Sequence, residues 1–147
     1  MLRRATFDDI ALLSSIEQRS FLLAWSEANF RAELEKGYSF TYIYYQNNMP
    51  VAYISIWELL DEGEILSIAV LPDVRGQGIA TEILSYVFER HSGVLSWHLE
   101  VDSTNEIAIK LYKKRGFEAN RLIKNYYSAG RDAIQMKMSV NEGKGLG

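Results

Sequence analysis

The chain contains no cysteine, and this absence removes three classes of chemistry at once. Without a thiol there can be no disulfide framework, no thiolate metal site and no cysteine nucleophile. Histidine is almost as scarce. His91 and His98 are the only two, neither has metal-ligand spacing, and both are expected at the surface. The sequence therefore predicts a protein that holds no metal.

Long apolar runs are also missing, although 48% of the 147 residues are hydrophobic. A chain of this length and composition is expected to form one globular domain with a sizeable core. The first residues lack the apolar region of a signal peptide, so the sequence predicts a cytoplasmic protein that does not meet a membrane. The net charge of −3 argues against a broad nucleic-acid surface.

Apolar periodicity and turn signals predict the element order β-α-α-β-β-β-α-β-α-β-β over residues 1–140. This order is typical of an α/β sandwich, with helices flanking a mixed central sheet. Thr6 and Ser26 are expected to cap the first two helices, and Asn47-Asn48 predicts a hairpin. The turn into the fourth strand is expected at residues 61–63. Residues 141–147 are expected to form a mobile polar tail.

One loop combines glycines with a helix start. An apolar strand runs directly into residues 70–80, and a helix opens at Ile79. Unpaired backbone N–H groups converge at such a helix start, and the helix dipole favours a negative charge by roughly 0.3–1 kcal/mol. Gly76 and Gly78 leave room for a phosphate, and Arg75 can add positive charge. The loop predicts an anion site, with a plain strand-to-helix turn as the alternative.

A second group of polar residues follows the next predicted strand. Glu100 lies near the end of that strand, and Asn105 and Tyr112 follow on one helix. Because seven residues make nearly two turns, Asn105 and Tyr112 share a helix face. A carboxylate and a phenol would therefore converge beside the anion loop if the two strand–helix units are neighbours.

These two motifs carry a resemblance to a known family. Arg-x-x-Gly-x-Ala at residues 75–80 resembles the pyrophosphate loop of the GNAT superfamily of acetyl-CoA-dependent N-acetyltransferases. Asn-x-x-Ala-x-x-Leu-Tyr-x-x-x-Gly-Phe at residues 105–117 is similar to a hallmark of the same superfamily. With Asn125-Tyr126-Tyr127 and the Trp25-Ser26 region, the whole pattern resembles the RimI type, the ribosomal-protein-alanine N-terminal acetyltransferases. The resemblance covers roughly residues 2–138.

The chain departs from that pattern at two positions that bear on the peptide substrate. Asp102 stands where the family usually has arginine, and Ala24 stands where it often has proline. The segment after Tyr127 is also short. None of these departures touches the cofactor loop.

The resemblance implies a GNAT (acyl-CoA N-acyltransferase) fold and direct attack of an amine on acetyl-CoA, with no acyl-enzyme and hence no need for a cysteine. It implies that Glu100 is the general base and Tyr112 the general acid. The partners would be acetyl-CoA and a peptide or protein N-terminus, such as that of a ribosomal protein. The implied cofactor-binding residues are Ile68, Ala69, Val70, Arg75, Gly76, Gln77, Gly78, Ile79, Ala80 and Asn105. The implied substrate-binding residues are Trp25, Tyr126 and Tyr127.

Simpler roles remain open for several of these residues. Glu100 could face solvent, Tyr112 could only pack, Asn105 could only cap its helix, Arg75 could be a solvated charge and Trp25 could only fix its loop. At the level of function, the acceptor could instead be a lysine side chain or a small amine. A protein of another class, a non-catalytic acyl-CoA-binding or partner-binding module, is the remaining alternative.

Overall fold

The computed structural model describes residues 1–21, 24–127 and 130–140. Within these ranges the strands and helices follow the predicted order. In chain order they are β1 (Leu2–Arg4), α1 (Ile10–Ser20), α2 (Glu27–Leu34), β2 (Ser39–Gln46), β3 (Met49–Leu59), β4 (Glu62–Val70), α3 (Ile79–Arg90), β5 (Ser96–Asp102), α4 (Glu106–Lys114), β6 (Glu118–Ile123) and β7 (Ala133–Ser139). The expected tail, 141–147, lies outside the described residues.

The chain divides into two compact units that share strand β4. The first unit comprises Met1–Glu58 and Leu66–His91, and the second comprises Leu59–Ile65 and the described residues from Ser92 onward. Strands pair in the order β1-β2-β3-β4 and continue in the second unit from β4 in the order β4-β5-β7-β6. The sheet is mixed, because β4 and β5 are parallel whereas β5, β7 and β6 are antiparallel.

The first unit follows its local signals except at Thr6, which precedes a 3-10 turn at Phe7–Asp9 rather than α1 and makes no side-chain capping hydrogen bond. Oδ2 of Asp9 accepts the Thr6 backbone N–H at 2.8 Å, and a short 3-10 turn leads into α1. The Ser26 hydroxyl accepts the Asn29 N–H at 3.1 Å and so caps α2. Both Asn47 and Asn48 have positive φ, as a two-residue hairpin turn requires. The fully buried side chains of this unit include Leu13, Phe30, Tyr53, Ile54 and Ile83.

His91 corrects the expectation that both histidines lie at the surface. Its side chain is buried in the first unit, at the end of α3. Nε2 lies 2.8 Å from the Tyr42 hydroxyl, and Nδ1 lies 2.6 Å from Oε1 of Glu58. Hydrogen bonds on both ring nitrogens make a histidine acceptable in a core, and the sequence alone does not reveal these distant partners.

Gly63 corrects the predicted turn into β4. The turn is formed by Leu60 and Asp61, and Gly63 already lies inside the strand. A Cβ at Gly63 would lie 2.6 Å from Cζ3 of the fully buried Trp97 on the neighbouring strand β5. The glycine is therefore needed for close packing in the second unit rather than for a turn.

Strand β6 carries one extra residue relative to β7. Ala119 pairs with Met136 and Arg121 pairs with Gln135, which leaves Asn120 as the residue of a β-bulge. None of the described helices is long and apolar enough to cross a membrane.

Candidate active site

The glycine loop lies in the first unit and has the geometry of an anion cradle. Gly76 and Gly78 have φ values of +80° and +82°, a backbone region that favours glycine. A Cβ at either position would meet no atom within 4 Å, so the space over the loop is open. The first helical hydrogen bond of α3 runs from the Glu82 N–H to the Gly78 carbonyl at 3.0 Å. The N–H groups of Ile79 and Ala80 precede that bond, so no helical carbonyl lies before them to accept.

Arg75 is exposed and folds back onto the end of β4. Its Nε donates to the Val70 carbonyl at 2.9 Å. This bond fixes the direction of the side chain while the two Nη groups keep their donors for a phosphate. Gln77 is also exposed and accepts a hydrogen bond of 2.9 Å from the Gln46 side chain. Both contacts hold the cradle in place from within the first unit.

The strand residues before the loop alternate in burial. Ala69 is buried, whereas Ile68 and Val70 are half-buried. The register of β4 with β5 runs from the pair Glu62/Ser96 to the pair Ile65/Leu99. The predicted cofactor-binding residues Ile68, Ala69 and Val70 therefore come after Ile65, the last residue of β4 in this pairing with β5.

Trp25 is half-buried beside α2. Its ring meets Phe30 edge-on at a centroid distance of 5.2 Å, and its backbone N–H donates to Oε2 of Glu17 at 3.0 Å. Glu17 is itself buried and also accepts a short hydrogen bond from the Tyr53 hydroxyl. Glu17 thus holds Trp25 through its backbone N–H, and the Trp25 ring packs on Phe30. These contacts are compatible both with a role in fixing the loop and with a role in binding substrate.

Glu100 lies on β5 in the second unit and is half-buried. The Tyr126 hydroxyl donates to Oε1 at 3.4 Å, and Nε2 of Gln135 donates to Oε2 at 3.4 Å. Each carboxylate oxygen therefore has one donor, which orients the group while leaving acceptor capacity on both oxygens.

Tyr112 is almost fully buried on α4, and its ring packs edge-on against Phe117 at 5.6 Å. Burial, with a smaller contribution from nearby Tyr127, raises the pKa of Tyr112 well above its usual range. A phenol with a raised pKa keeps its proton at neutral pH, so Tyr112 is a protonated hydroxyl that can donate a hydrogen bond.

Tyr126 and Tyr127 form an edge-on pair at 4.9 Å beside Glu100. Burial raises the pKa of Tyr127 to about 12. Burial and the Glu100 charge also raise the pKa of Tyr126. Both hydroxyls are therefore neutral donors at physiological pH. Glu100, Tyr112, Tyr126 and Tyr127 thus form one cluster in the second unit.

Asn105 caps α4, because its Oδ1 accepts the Ala108 N–H at 3.1 Å. The capping role is confirmed, and the amide nitrogen remains for a ligand. Asp102 pairs with Arg131 at 3.0 Å and accepts the Thr104 N–H and hydroxyl. The Thr104 bonds, with a smaller contribution from Arg131, lower the pKa of Asp102. Asp102, which stands where arginine is usual, is therefore paired with a positive charge in its own unit.

The predicted site residues fall into two sets, one in each unit. The first set comprises Trp25, Ile68, Ala69, Val70, Arg75, Gly76, Gln77, Gly78, Ile79 and Ala80, and the second comprises Glu100, Asn105, Tyr112, Tyr126 and Tyr127. Sequence reasoning missed Glu17, Asn120 and Gln135. Glu17 contacts Tyr53, which lies 36 residues further along the chain, and the contacts of Asn120 and Gln135 depend on strand register and a bulge.

Residues 10–117 match the model of the acetyltransferase (GNAT) family. The chain is 33% identical to the [ribosomal protein bS18]-alanine N-acetyltransferase of Escherichia coli K12, over 90% of this chain and 93% of that protein. It is 31% identical to the protein of the same name from Haemophilus ducreyi, over 86% and 88%. The crystal structure of the ribosomal-protein-S18-alanine N-acetyltransferase from Escherichia coli superposes with a TM-score of 0.89 at 30% identity, covering 95% of this chain and 93% of that one.

Proposed function

Because the chain belongs to the acetyltransferase (GNAT) family, it is an acetyl-CoA-dependent N-acetyltransferase, and we propose that it acetylates the N-terminal alanine of ribosomal protein bS18. Its similarity to relatives with that activity runs through nearly the full length of both chains. The observation in the structure that supports the proposal is that one unit holds an oriented carboxylate, Glu100, and a buried phenol, Tyr112, each with Tyr127 nearby. We place the reaction in the cytoplasm, where the ribosomal acceptor is made.

The glycine loop is the proposed cradle for the cofactor pyrophosphate. The open space above Gly76 and Gly78 and the N–H groups at the start of α3 fit a diphosphate. The exposed guanidinium of Arg75 supplies a charge that a diphosphate can share. The half-buried residues Ile68 and Val70 would pair with the pantetheine arm, and the Val70 N–H would face the thioester oxygen. Asn105 would bind the arm through its free amide nitrogen.

Glu100 and Tyr112 divide the proton transfers in this proposal. Acetyl-CoA supplies the acetyl group as a thioester. As the acceptor nitrogen bonds to the acetyl carbon, Glu100 takes the proton that the nitrogen loses, directly or through water. Tyr112 donates its proton to the leaving sulfur, which departs as a thiol. The acceptor nitrogen bonds directly to the acetyl carbon and the C–S bond of the thioester breaks, so no covalent enzyme intermediate is required.

The chemistry of the acceptor favours an α-amine over a lysine side chain. An α-amine has a pKa of ~7.7–8.0, so about a quarter of it is neutral at pH 7.4, whereas only about 0.1% of a lysine amine is neutral. A half-buried carboxylate is a weak base, and it suits an acceptor that has already lost its ammonium proton. Trp25, Tyr126 and Tyr127 would contact the first peptide residues.

Acetyl transfer to three acceptors tests the proposal. An alanine-initiated peptide, an N-blocked lysine peptide and spermine are compared from pH 6.5 to 9.5, with thiol release as the readout. We expect the alanine peptide to be preferred. Glu100→Gln should slow its acetylation by roughly 10²–10⁴-fold near neutral pH. Glu118→Gln, the same change at an exposed position on β6, is the matched control and should leave the rate unchanged.

The outcomes separate the alternatives. Preference for the blocked lysine peptide or for spermine would move the acceptor to another amine. Binding of acetyl-CoA without turnover on any acceptor would favour a non-catalytic module. A Glu100→Gln variant as fast as wild type at every pH would remove Glu100 from the reaction.

A further inference from the structure

Glu100 has a neighbour on β7 that no part of the proposed chemistry uses. Gln135 lies directly opposite Glu100 in the antiparallel register of β5 and β7. Directly opposite residues have their side chains on the same face of the sheet. Nε2 of Gln135 reaches Oε2 of Glu100, while the Tyr126 hydroxyl reaches Oε1 from the other side.

The bulge in β6 supplies a second amide behind Gln135. Asn120 is the extra residue of that bulge, and bulges redirect the side chain of the inserted residue. Nδ2 of Asn120 donates to Oε1 of Gln135 at 3.0 Å. Three neighbouring strands, β6, β7 and β5, thus each contribute one member of a chain of hydrogen bonds.

Donor and acceptor rules fix the direction of this chain. An ionised carboxylate only accepts, so Gln135 must present its NH₂ group to Glu100. Its carbonyl oxygen then points the other way and accepts from Asn120, whose NH₂ group is the part of that side chain that can donate. The orientation of both amides therefore follows from the charge of Glu100.

We propose that Asn120 and Gln135 form an amide relay that positions the Glu100 carboxylate for its work as base. Both are positioning residues, because they act through Glu100 and do not touch the reacting atoms. The role assigned to Glu100 rests on the proposed function. The Gln135 NH₂ group orients the carboxylate through Oε2, and a donated hydrogen bond in general favours the charged form of an acid.

Other ionisable groups lie on β5 and on the neighbouring elements, and the tests leave all of them unchanged. They are Glu64 on β4, His98 and Asp102 on β5, Lys137 on β7, and Tyr126, Tyr127 and Arg131 between β6 and β7. Arg131 is paired with Asp102, and the two phenols are neutral at physiological pH. A difference between variants at residue 120 therefore reports on the relay.

Asn120→Asp is the decisive variant. An aspartate at residue 120 can only accept, so Gln135 must turn its NH₂ group towards it and present a carbonyl oxygen to Glu100. Asn120→Ala removes the hydrogen-bond donor to Gln135 without forcing the Gln135 amide to reverse. Ser139→Asp adds the same charge at an exposed position four residues further along β7, and it is the matched control. Residue 120 is exposed, so all three variants are expected to fold.

Two measurements follow the protonation of Glu100. The first is the pH profile of kcat/KM for the alanine peptide. The second is the carboxyl NMR titration of ¹³C-labelled glutamate, in which the Glu100 signal is identified by its loss in Glu100→Gln. For Asn120→Asp we expect the acid limb of the kcat/KM profile and the NMR midpoint to move to higher pH by about one unit. This shift corresponds to about a tenfold loss of kcat/KM at low pH, and kcat/KM should recover at high pH. Asn120→Ala should move them less, and Ser139→Asp not at all.

An unmoved midpoint in Asn120→Asp overturns the relay. A loss of kcat/KM by the same factor at every pH also overturns it, because a merely structural role would give that result. If the wild-type protein acetylates none of the acceptors, the proposed function fails, and the NMR titration still decides whether the relay acts on Glu100.

Discussion

The backbone N–H of Trp25 is held by the carboxylate of Glu17, eight residues earlier in the chain, at 3.0 Å. The other oxygen of Glu17 accepts the Tyr53 hydroxyl, which also lies 2.9 Å from the Ser67 hydroxyl. A buried side chain of α1 thus fixes the segment before α2 and a tyrosine of β3 at once.

Replacing Glu17 by alanine should destabilise the protein and weaken peptide binding. The change leaves a buried hydroxyl and an N–H without their acceptor, at a cost of about 2–4 kcal/mol. Urea unfolding measures this cost. Because Trp25 loses its anchor, KM for the alanine peptide should rise while the affinity for acetyl-CoA stays constant. Glu35→Ala, at an exposed position, should change stability by less than about 0.5 kcal/mol. Equal stability of the two variants would contradict the anchoring role.

A matched pair of variants at Gly78 tests the anion cradle. Asparagine and aspartate have the same size, both tolerate positive φ, and the structure leaves open space for their Cβ. Gly78→Asn should therefore retain much of the acetyl-CoA affinity. Gly78→Asp adds a negative charge beside the pyrophosphate and should bind at least about tenfold more weakly than Gly78→Asn. Isothermal titration calorimetry measures both affinities, and equal values would place the pyrophosphate elsewhere.

Tyr112→Phe separates proton donation from packing. Phenylalanine keeps the edge-on contact with Phe117 and removes only the hydroxyl. We expect kcat to fall by about 10²-fold while KM for acetyl-CoA changes little, because the proton is needed only in the transition state. Steady-state kinetics with the alanine peptide provide the test. A variant with wild-type kcat would reduce Tyr112 to a packing residue.

The buried phenols predict a loss of stability in alkali. Burial raises the pKa of Tyr53 and Tyr112, and that of Tyr127 to about 12, whereas an unfolded tyrosine has a pKa near ~10. Above pH 10 the unfolded chain releases protons that the folded chain keeps, so the free energy of unfolding falls as pH rises. Each phenol adds at most ~1.4 kcal/mol per pH unit to this slope. Urea unfolding between pH 8 and 11 should show a smaller slope in Tyr112→Phe.

The sequence predicted the elements whose signals are local. Capping residues such as Ser26, the Asn47-Asn48 hairpin and the periodicity of α3 each depend on neighbours within a few positions, and each is confirmed. Gly63 and His91 were interpreted wrongly for one reason. Their roles depend on Trp97, Tyr42 and Glu58, which lie 33 to 49 residues away and which no local pattern identifies.

The candidate site also divides into residues with a local sequence signal and residues whose role depends on distant partners. Motif residues could be named because a short spacing carries their chemistry, as with Gly76 and Gly78 before a helix. Glu17 and Gln135 could not, because their importance comes from hydrogen bonds to distant side chains. The pairing of Arg131 with Asp102 also emerged only from the fold.

The bulge at Asn120 also marks where the length of the chain can change. Ala119 and Arg121 already pair with consecutive residues of β7, so the ladder on either side does not depend on the residue between them. Deleting residue 120 would close the strand without moving any other pair to the opposite face, whereas a deletion elsewhere in β6 would shift the alternation of side chains. Position 120 is therefore a point in this strand at which a deletion can be accepted during divergence, at the expense of the contact with Gln135.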